Sequence, residues 1–302
     1  MELFEQLEDI CSRYDCQLMK DEPLSKHTTF RIGGNCSVLV DINCTDVLVE
    51  LVKYCNENSV KWTVLGNGSN VLVPDEGYEG VVFVLGKQFA RIELLENYTV
   101  NCQAGAYLMN VAKAALEESM SGMECLAGIP GTIGGALYMN AGAYGGEMAD
   151  VAVSAEYIDE DGSLKTVPAE DMELSYRHSV FSGTKKIITS VKLKLRSGKY
   201  DAIKTEMEGY LNQRRAKQPL ELPSAGSTFK RPVGSYASFL IDQCGLKGAS
   251  VGDAQVSVKH AGFVVNTGKA TCKDVMELCD YVIETVQEKT GYKLEMEPVV
   301  LR

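Results

Sequence analysis

The chain lacks any uninterrupted apolar run of the roughly 18 residues that a membrane-crossing helix requires, so no span is predicted. Its opening stretch, M-E-L-F-E-Q-L-E-D-I, lacks the basic start and apolar middle of a signal peptide. No C-x-x-C pair occurs among its ten cysteines. Scattered thiols in a chain of 302 residues speak against a disulfide framework and for buried, reduced side chains in the cytoplasm. Histidine is scarce: His27, His178 and His260 lie far apart, so no zinc or iron site is expected. A basic surplus is missing as well. The net charge of -11 disfavours a general nucleic-acid binder, because phosphate neutralisation needs a cationic face. Repeats and low-complexity segments are absent. The expectation is a monomer that acts on a small molecule, with no membrane or nucleic-acid partner.

What is present is an ordinary globular composition, 45% hydrophobic and 24% charged, long enough for two domains. Leu3, Leu7, Ile10 and Tyr14 share one side of an N-terminal helix. Residues 37–42, 46–58 and 62–65 read as strand, helix and strand, which predicts a parallel pair with a right-handed crossover. Further strands are predicted near 80–85, 92–104, 151–158 and 187–196. Helices are predicted near 107–120, 201–216, 236–244 and 272–289. Thr271 and Asp274 form a capping pair before the last of these. The segment R-S-G-K-Y, 196–200, marks a boundary between a glycine-rich part, 1–198, and a smaller part, 199–302. The fold class is α+β.

Two glycine loops stand out. G-N-G-S-N, Gly66, Asn67, Gly68, Ser69 and Asn70, follows a strand. It is either a plain turn or a nest of backbone N–H groups for an anion. The run 128–136 packs four glycines and a proline into nine residues: Gly128, Ile129, Pro130, Gly131, Thr132, Ile133, Gly134, Gly135 and Ala136. Ordering such a loop has a high entropic cost, which a bound phosphate or flat ring would offset. A purely structural loop is the alternative. Neither G-x-G-x-x-G nor a following G-K-[ST] occurs, so a nucleotide cofactor would need a fold other than the Rossmann or P-loop types.

Three polar residues in three places could complete a site. Arg177, between Tyr176 and His178, is either a surface arginine or a bidentate clamp for a carboxylate. Ser227, in A-G-S-T-F-K-R-P, is either a turn or cap serine or a proton donor to a very basic carbanion; the segment is not a G-x-S-x-G elbow. Glu297, in L-E-M-E-P, is either a solvated strand residue or a third member of that site. A basic cluster, Arg214, Arg215, Lys217, Lys230 and Arg231, flanks Ser227 in an acidic chain and suggests a diphosphate partner.

In order, the segments T-T-F-R-I-G-G (28–34), L-G-N-G-S-N-V-L-V (65–73), G-I-P-G-T-I-G-G-A (128–136), M-N-A-G-A-Y-G-G-E (139–147), S-Y-R-H-S (175–179), K-Q-P-L-E-L-P-S-A-G-S-T-F-K-R-P (217–232), L-I-D-Q-C-G-L-K-G (240–248), G-D-A-Q-V-S-V-K-H-A-G-F-V-V-N (252–266) and G-Y-K-L-E-M-E (291–297) cover nearly the whole chain. Together they resemble the UDP-N-acetylenolpyruvoylglucosamine reductase family of bacterial peptidoglycan precursor synthesis. The resemblance implies a vanillyl-alcohol-oxidase-type FAD-binding domain in two subdomains, about 1–75 and 76–198, and a C-terminal substrate domain. It implies noncovalent FAD, reduced by NADPH, and hydride transfer to the enolpyruvyl group of UDP-N-acetylglucosamine-enolpyruvate. Cofactor contacts then fall on Gly66 to Asn70, on Gly128 to Thr132, on Gly134, Gly135, Gly142 and Ala143, and on Ile188 and Arg214. Arg177 and Glu297 match the residues that polarise the enolpyruvyl carboxylate, Ser227 the proton donor, and Lys217, Lys230 and Arg231 the substrate-holding cations. The short interval from Arg177 to Ser227 resembles the class that lacks a loop bearing a substrate-covering tyrosine. Pro298 departs from the family's usual valine, and proline lacks a ladder donor.

Overall fold

The computed structural model describes residues 3–302. Met1 and Glu2, the start of the sequence-predicted first helix, lie outside the described residues. That helix, α1, runs Leu3–Ser12 and buries Leu7 and Ile10 as the periodicity predicts.

Helix α2, Thr45–Glu57, buries Val47, Leu48, Leu51, Val52 and Cys55. The flanking strands Asn35–Asp41 and Trp62–Leu65 form as expected, but they are not neighbours. The sheet order is Gln17–Pro23, Asn35–Asp41, Tyr78–Val84, Trp62–Leu65. Strand Tyr78–Val84 has four consecutive buried residues and lies between the two, parallel to Trp62–Leu65. A strand buried on both faces belongs in the middle of a sheet, which explains the displaced pairing. The strand predicted at 92–104 is a hairpin of Ile92–Leu95 and Thr99–Gln103. Asn97 and Tyr98 make its turn, both at φ +56. These two strands and Ile187–Lys194, Ala152–Ile158 and Leu164–Pro168 form an antiparallel five-stranded sheet.

Helix α3, Leu108–Glu117, buries Leu108, Val111, Ala112, Ala115 and Leu116. Helix α4, Ile133–Tyr138, is short and carries the second glycine loop at its start. Helices α5, Tyr200–Lys217, and α6, Ala237–Gln243, precede the long α7, Cys272–Thr290. The Thr271–Asp274 capping box is present in both halves, and Gly291 at φ +77 ends α7. The Asp75 carboxylate adds bonds from the N–H groups of Cys272 and Lys273 at 2.7 and 3.0 Å. A carboxylate there also meets the positive end of the helix dipole.

The chain divides into two compact units. The first comprises the segment through Lys20, Val38–Asn67 and Gly80–Gln213; the second comprises Asp21–Ser37, Gly68–Glu79 and Arg214–Arg302. The later division thus falls inside α5, whereas the sequence marked 196–200. Each unit has its own apolar core. In the second, Val275, Leu278, Cys279, Val282 and Val286 of α7 pack with Phe30, Ile32 and Leu72. Each such side chain stabilises the fold by about 1.5–3 kcal/mol when fully buried. Burial pushes the thiols of Cys55, Cys102 and Cys279 up to about 12, as expected of apolar core positions.

Candidate active site

In the first unit Gly66 and Asn67, from the first glycine loop, meet the second loop. Strand Trp62–Leu65 ends at Gly66, whose Cβ, if it had one, would lie 2.4 Å from Thr132 Oγ1. Asn67 Nδ2 donates to the Pro130 carbonyl at 2.7 Å, and Tyr107 Oη donates to Asn67 Oδ1 at 3.1 Å. Thr132 caps α4 by accepting from Gly135 N–H. The Ile133 and Gly134 N–H groups donate to Ala106 and Ala104 carbonyls at 2.7 and 2.9 Å. The first amides of this helix are therefore committed inside the protein. Among the described residues, no acceptor takes the N–H groups of Asn67, Gly68, Ser69 and Asn70, nor those of Gly131 and Thr132. Gly68 sits at φ +58, in the second unit, where a Cβ would strike the His27 carbonyl oxygen at 2.2 Å. Gly135 is exposed, and a Cβ there would meet only Thr132 Oγ1, at 3.5 Å.

Several predicted contact residues have mainly internal roles. Gly134 lies against Ala104, and Gly142 against the Gly146 carbonyl. Gly142–Ala143 pairs with Gly146–Glu147 across a turn with Tyr144 at φ +54 and Gly145 at φ +90. The Tyr144 ring stacks on Tyr210 at 4.7 Å. Ile188 points into the core, so only its backbone remains available to a ligand. The next residue, Thr189, occupies a strand irregularity, and its buried hydroxyl has no hydrogen-bond partner among the described residues. Thr189 carries the carbonyl that receives Ala104 N–H, one layer beneath Gly134. Sequence reading missed Thr189, Tyr107 and Asn140; a hydroxyl on an apolar strand and an asparagine after a helix end were the available signals.

Arg177 also belongs to the first unit. It sits at the tip of a two-residue turn closed by reciprocal bonds between Ser175 and His178, 3.2 and 3.0 Å. Its φ is +56, a left-handed conformation that suits glycine and costs other residues free energy. Its guanidinium carbon lies 5.0 Å from the centre of the Tyr176 ring, a cation–π contact.

The segments that carry Ser227 and Glu297 pair in the second unit. Residues 228–230 run antiparallel to 295–297: Glu297 N–H donates to Thr228 O at 2.9 Å, and Lys230 N–H to Glu295 O at 2.8 Å. Ser227 is exposed, follows Gly226 at φ +77, and caps no helix. Among the described residues its hydroxyl has no hydrogen-bond partner. Thr228 is fixed instead, its N–H on Gly262 O and its Oγ1 accepting Val264 N–H, each at 2.8 Å. Pro298 removes no ladder bond. The chain changes partner across it: Glu297 N–H bonds Thr228, and Val299 N–H bonds Asn70 O at 2.9 Å. Asn70 Nδ2 further holds the Glu297 carbonyl at 3.3 Å.

The cations divide. Lys230 pairs with Glu295 at 3.5 Å. Arg231 lies 5.9 Å from the Tyr236 ring. Arg214, Arg215 and Lys217 end α5. Beside the Thr228–Gly262 bond lies a surface pocket of about 310 Å³, lined by Tyr236, Phe239, Lys247, Lys259 and His260 among others. Burial holds His260 below its ordinary pKa, and its Nδ1 accepts Gly262 N–H at 3.2 Å.

Residues 37–168 match the FAD binding domain family, and 218–301 match the UDP-N-acetylenolpyruvoylglucosamine reductase, C-terminal domain. A UDP-N-acetylenolpyruvoylglucosamine reductase of Agathobacter rectalis is 48% identical over 293 residues, 93% of this chain and 92% of its own. The chain belongs to the UDP-N-acetylenolpyruvoylglucosamine reductase family. A second member, from Clostridium perfringens, is 45% identical over 98% of this chain and 96% of its own. The crystal structure of the reductase from Thermus caldophilus matches with TM-score 0.80 and 35% identity, covering 95% of this chain and 99% of that one. An alkyldihydroxyacetonephosphate synthase, 18% identical with TM-score 0.50 over 65% of this chain and 41% of its own, shares the fold alone.

The fold class is thus as expected: a vanillyl-alcohol-oxidase-type FAD-binding domain and a reductase-family C-terminal domain. The donor set fits the cofactor. In the first unit, among the described residues, the amides of Asn67, Gly131 and Thr132 and the Thr189 hydroxyl have no acceptor or partner, and such open donors suit an anionic cofactor.

Proposed function

We propose that the protein reduces UDP-N-acetylglucosamine-enolpyruvate to UDP-N-acetylmuramate, with NADPH as reductant, in peptidoglycan precursor synthesis. The observation that carries the reading is the Ser227–Glu297 arrangement: an unbonded hydroxyl on a segment laddered to the segment of a carboxylate. In this reading FAD is held by the amides of Asn67 to Asn70, Gly131 and Thr132, with Gly135 facing it and Gly128, Ile129, Pro130, Gly142, Ala143 and Arg214 nearby. When bound, it supplies hydride to the enolpyruvyl methylene carbon.

The protein's part is to manage charge and the proton. Addition of hydride to the methylene carbon leaves an electron pair on the carbon that bears the carboxylate. Arg177 clamps that carboxylate through two hydrogen bonds, which stabilises the enolate as it forms. In this reading Glu297 shares with Arg177 the polarisation of the enolpyruvyl carboxylate. Ser227 then gives its proton to the carbon. A serine hydroxyl is a weak acid, and only a centre as basic as this one removes its proton. Lys230 is held by Glu295, so reprotonation of Ser227 comes from solvent, to which it is open. Lys217 and Arg231 bind the diphosphate.

The test is a two-step absorbance assay on purified protein without oxygen. NADPH should bleach the flavin band, and the enolpyruvyl nucleotide should restore it. A folded protein that takes up no FAD, or a reduced flavin that this nucleotide leaves reduced, would count against the reading.

A further inference from the structure

Helix α4 joins two functional ends of the first unit. At its start, Thr132 lies against Gly66 of the other glycine loop. At its far end, the chain grips the segment that carries Arg177. The Tyr138 carbonyl accepts from Ser179 Oγ at 2.7 Å and Ser182 Oγ at 3.3 Å, and Tyr138 Oη accepts Gly183 N–H at 2.9 Å. Two residues on, Asn140 completes the attachment. Its side chain is fully enclosed, 0% exposed, and its φ is +41. Oδ1 accepts Ala149 N–H at 2.9 Å, and Nδ2 donates to the Ser175 carbonyl at 3.1 Å.

Ser175 is the residue whose reciprocal bonds with His178 close the Arg177 turn. The turn holds Arg177 in a left-handed conformation that its own preferences oppose. Such a conformation persists only where the surroundings over-determine it. We infer that Asn140 is a positioning residue for Arg177: its amide fixes the base of the turn and so aims the guanidinium at the substrate carboxylate. This rests on the reading of Arg177 given above. Asparagine is the fitting residue. It tolerates the left-handed region, offers an acceptor oxygen and a donor NH2 on the two arms of one amide, and carries no charge into the core.

Two substitutions separate positioning from folding. Asn140→Asp keeps the shape and the acceptor for Ala149 but sets a second acceptor against the Ser175 carbonyl. Asn140→Gly keeps the left-handed backbone and loses both bonds. FAD content, NADPH-driven bleaching and nucleotide-driven reoxidation are measured in the holoenzyme, for these variants, for Arg177→Gly and for the double variants. FAD content and bleaching should stay within about twofold of the parent, while reoxidation slows by roughly 10²-fold, the scale of a catalytic group misplaced by about 1 Å. Adding either Asn140 change to Arg177→Gly should slow reoxidation no further, because both act through one guanidinium.

Normal reoxidation in both Asn140 variants overturns the proposal alone. So do losses that multiply with Arg177→Gly. Loss of FAD in both variants also overturns it, because Asn140 would then be holding the fold. If the parent enzyme itself is not reoxidised by the nucleotide, the reading of the function fails, and the proposal falls with it.

Discussion

Glu297 donates its backbone N–H to the carbonyl of Thr228, the residue after Ser227, at 2.9 Å. A carboxylate and a hydroxyl from distant parts of the chain are thereby fixed to a common ladder. The backbone register between their segments is set by the Glu297–Thr228 and Lys230–Glu295 bonds.

Ser227→Ala should leave NADPH-driven bleaching unchanged and slow nucleotide-driven reoxidation by about 10²–10⁴-fold, the usual contribution of a positioned proton donor. Stopped-flow absorbance separates the two steps. Reoxidation at the parent rate would assign the proton to another group.

Arg177→Gly should stabilise the fold slightly, or leave it unchanged, while abolishing efficient reoxidation. Its φ of +56 suits glycine, and relief of that conformation is worth on the order of 1 kcal/mol. Urea unfolding compares it with Arg177→Ala, which keeps the strain and should be the less stable of the two.

Gly66→Ala and Gly135→Ala should part company. The first forces a methyl to 2.4 Å from the buried Thr132 hydroxyl, and overpacking of this kind costs about 1–3 kcal/mol. The second meets only an ordinary contact and lies within α4, where alanine is favoured, so the apoprotein should be as stable or better. Its predicted defect is weaker FAD binding, read by flavin fluorescence titration. Unaltered affinity would place the cofactor away from Gly135.

His260 should make the second unit acid-sensitive. Its pKa in the folded protein lies below 6.5, with burial the main cause and Lys247 and Lys217 adding to it. The unfolded chain therefore binds the proton more readily. Stability is complete above about 6.5 and declines as pH falls through that value toward the folded pKa. His260→Asn, which keeps an acceptor for Gly262 N–H, should flatten the fall in melting temperature between pH 7.5 and 5.5, both about one unit from the ordinary histidine value. An unchanged slope would assign the acid sensitivity elsewhere.

Much of this architecture was legible in the sequence. Helices α2, α3 and α7 bury the faces that their periodicity marks, and α7 carries the capping box read at Thr271 and Asp274. Local pattern could not show that Tyr78–Val84 displaces the neighbour expected for Trp62–Leu65, since sheet order is a competition among distant strands. The hairpin turn at Asn97–Tyr98 lacks the Asn-Gly pair that usually signals one. At the site, the residue types pointed to Arg177, Ser227 and Glu297. The left-handed turn under Arg177 and the pairing of Thr228 with Glu297 were invisible, because an arginine does not announce a positive φ and a ladder between remote segments has no local period.

The division of the second unit among three stretches bears on how the protein is made. Phe30, Ile32 and Leu72 leave the ribosome long before α7, the helix with which they are buried. Until the last part of the chain is made these apolar side chains lack α7, although by residue 213 the segments 38–67 and 80–213 of the other unit are already present. Closure of the second unit therefore waits on the last part of the chain. Nascent molecules pass through an interval of exposed hydrophobic surface that chaperones would be called upon to guard.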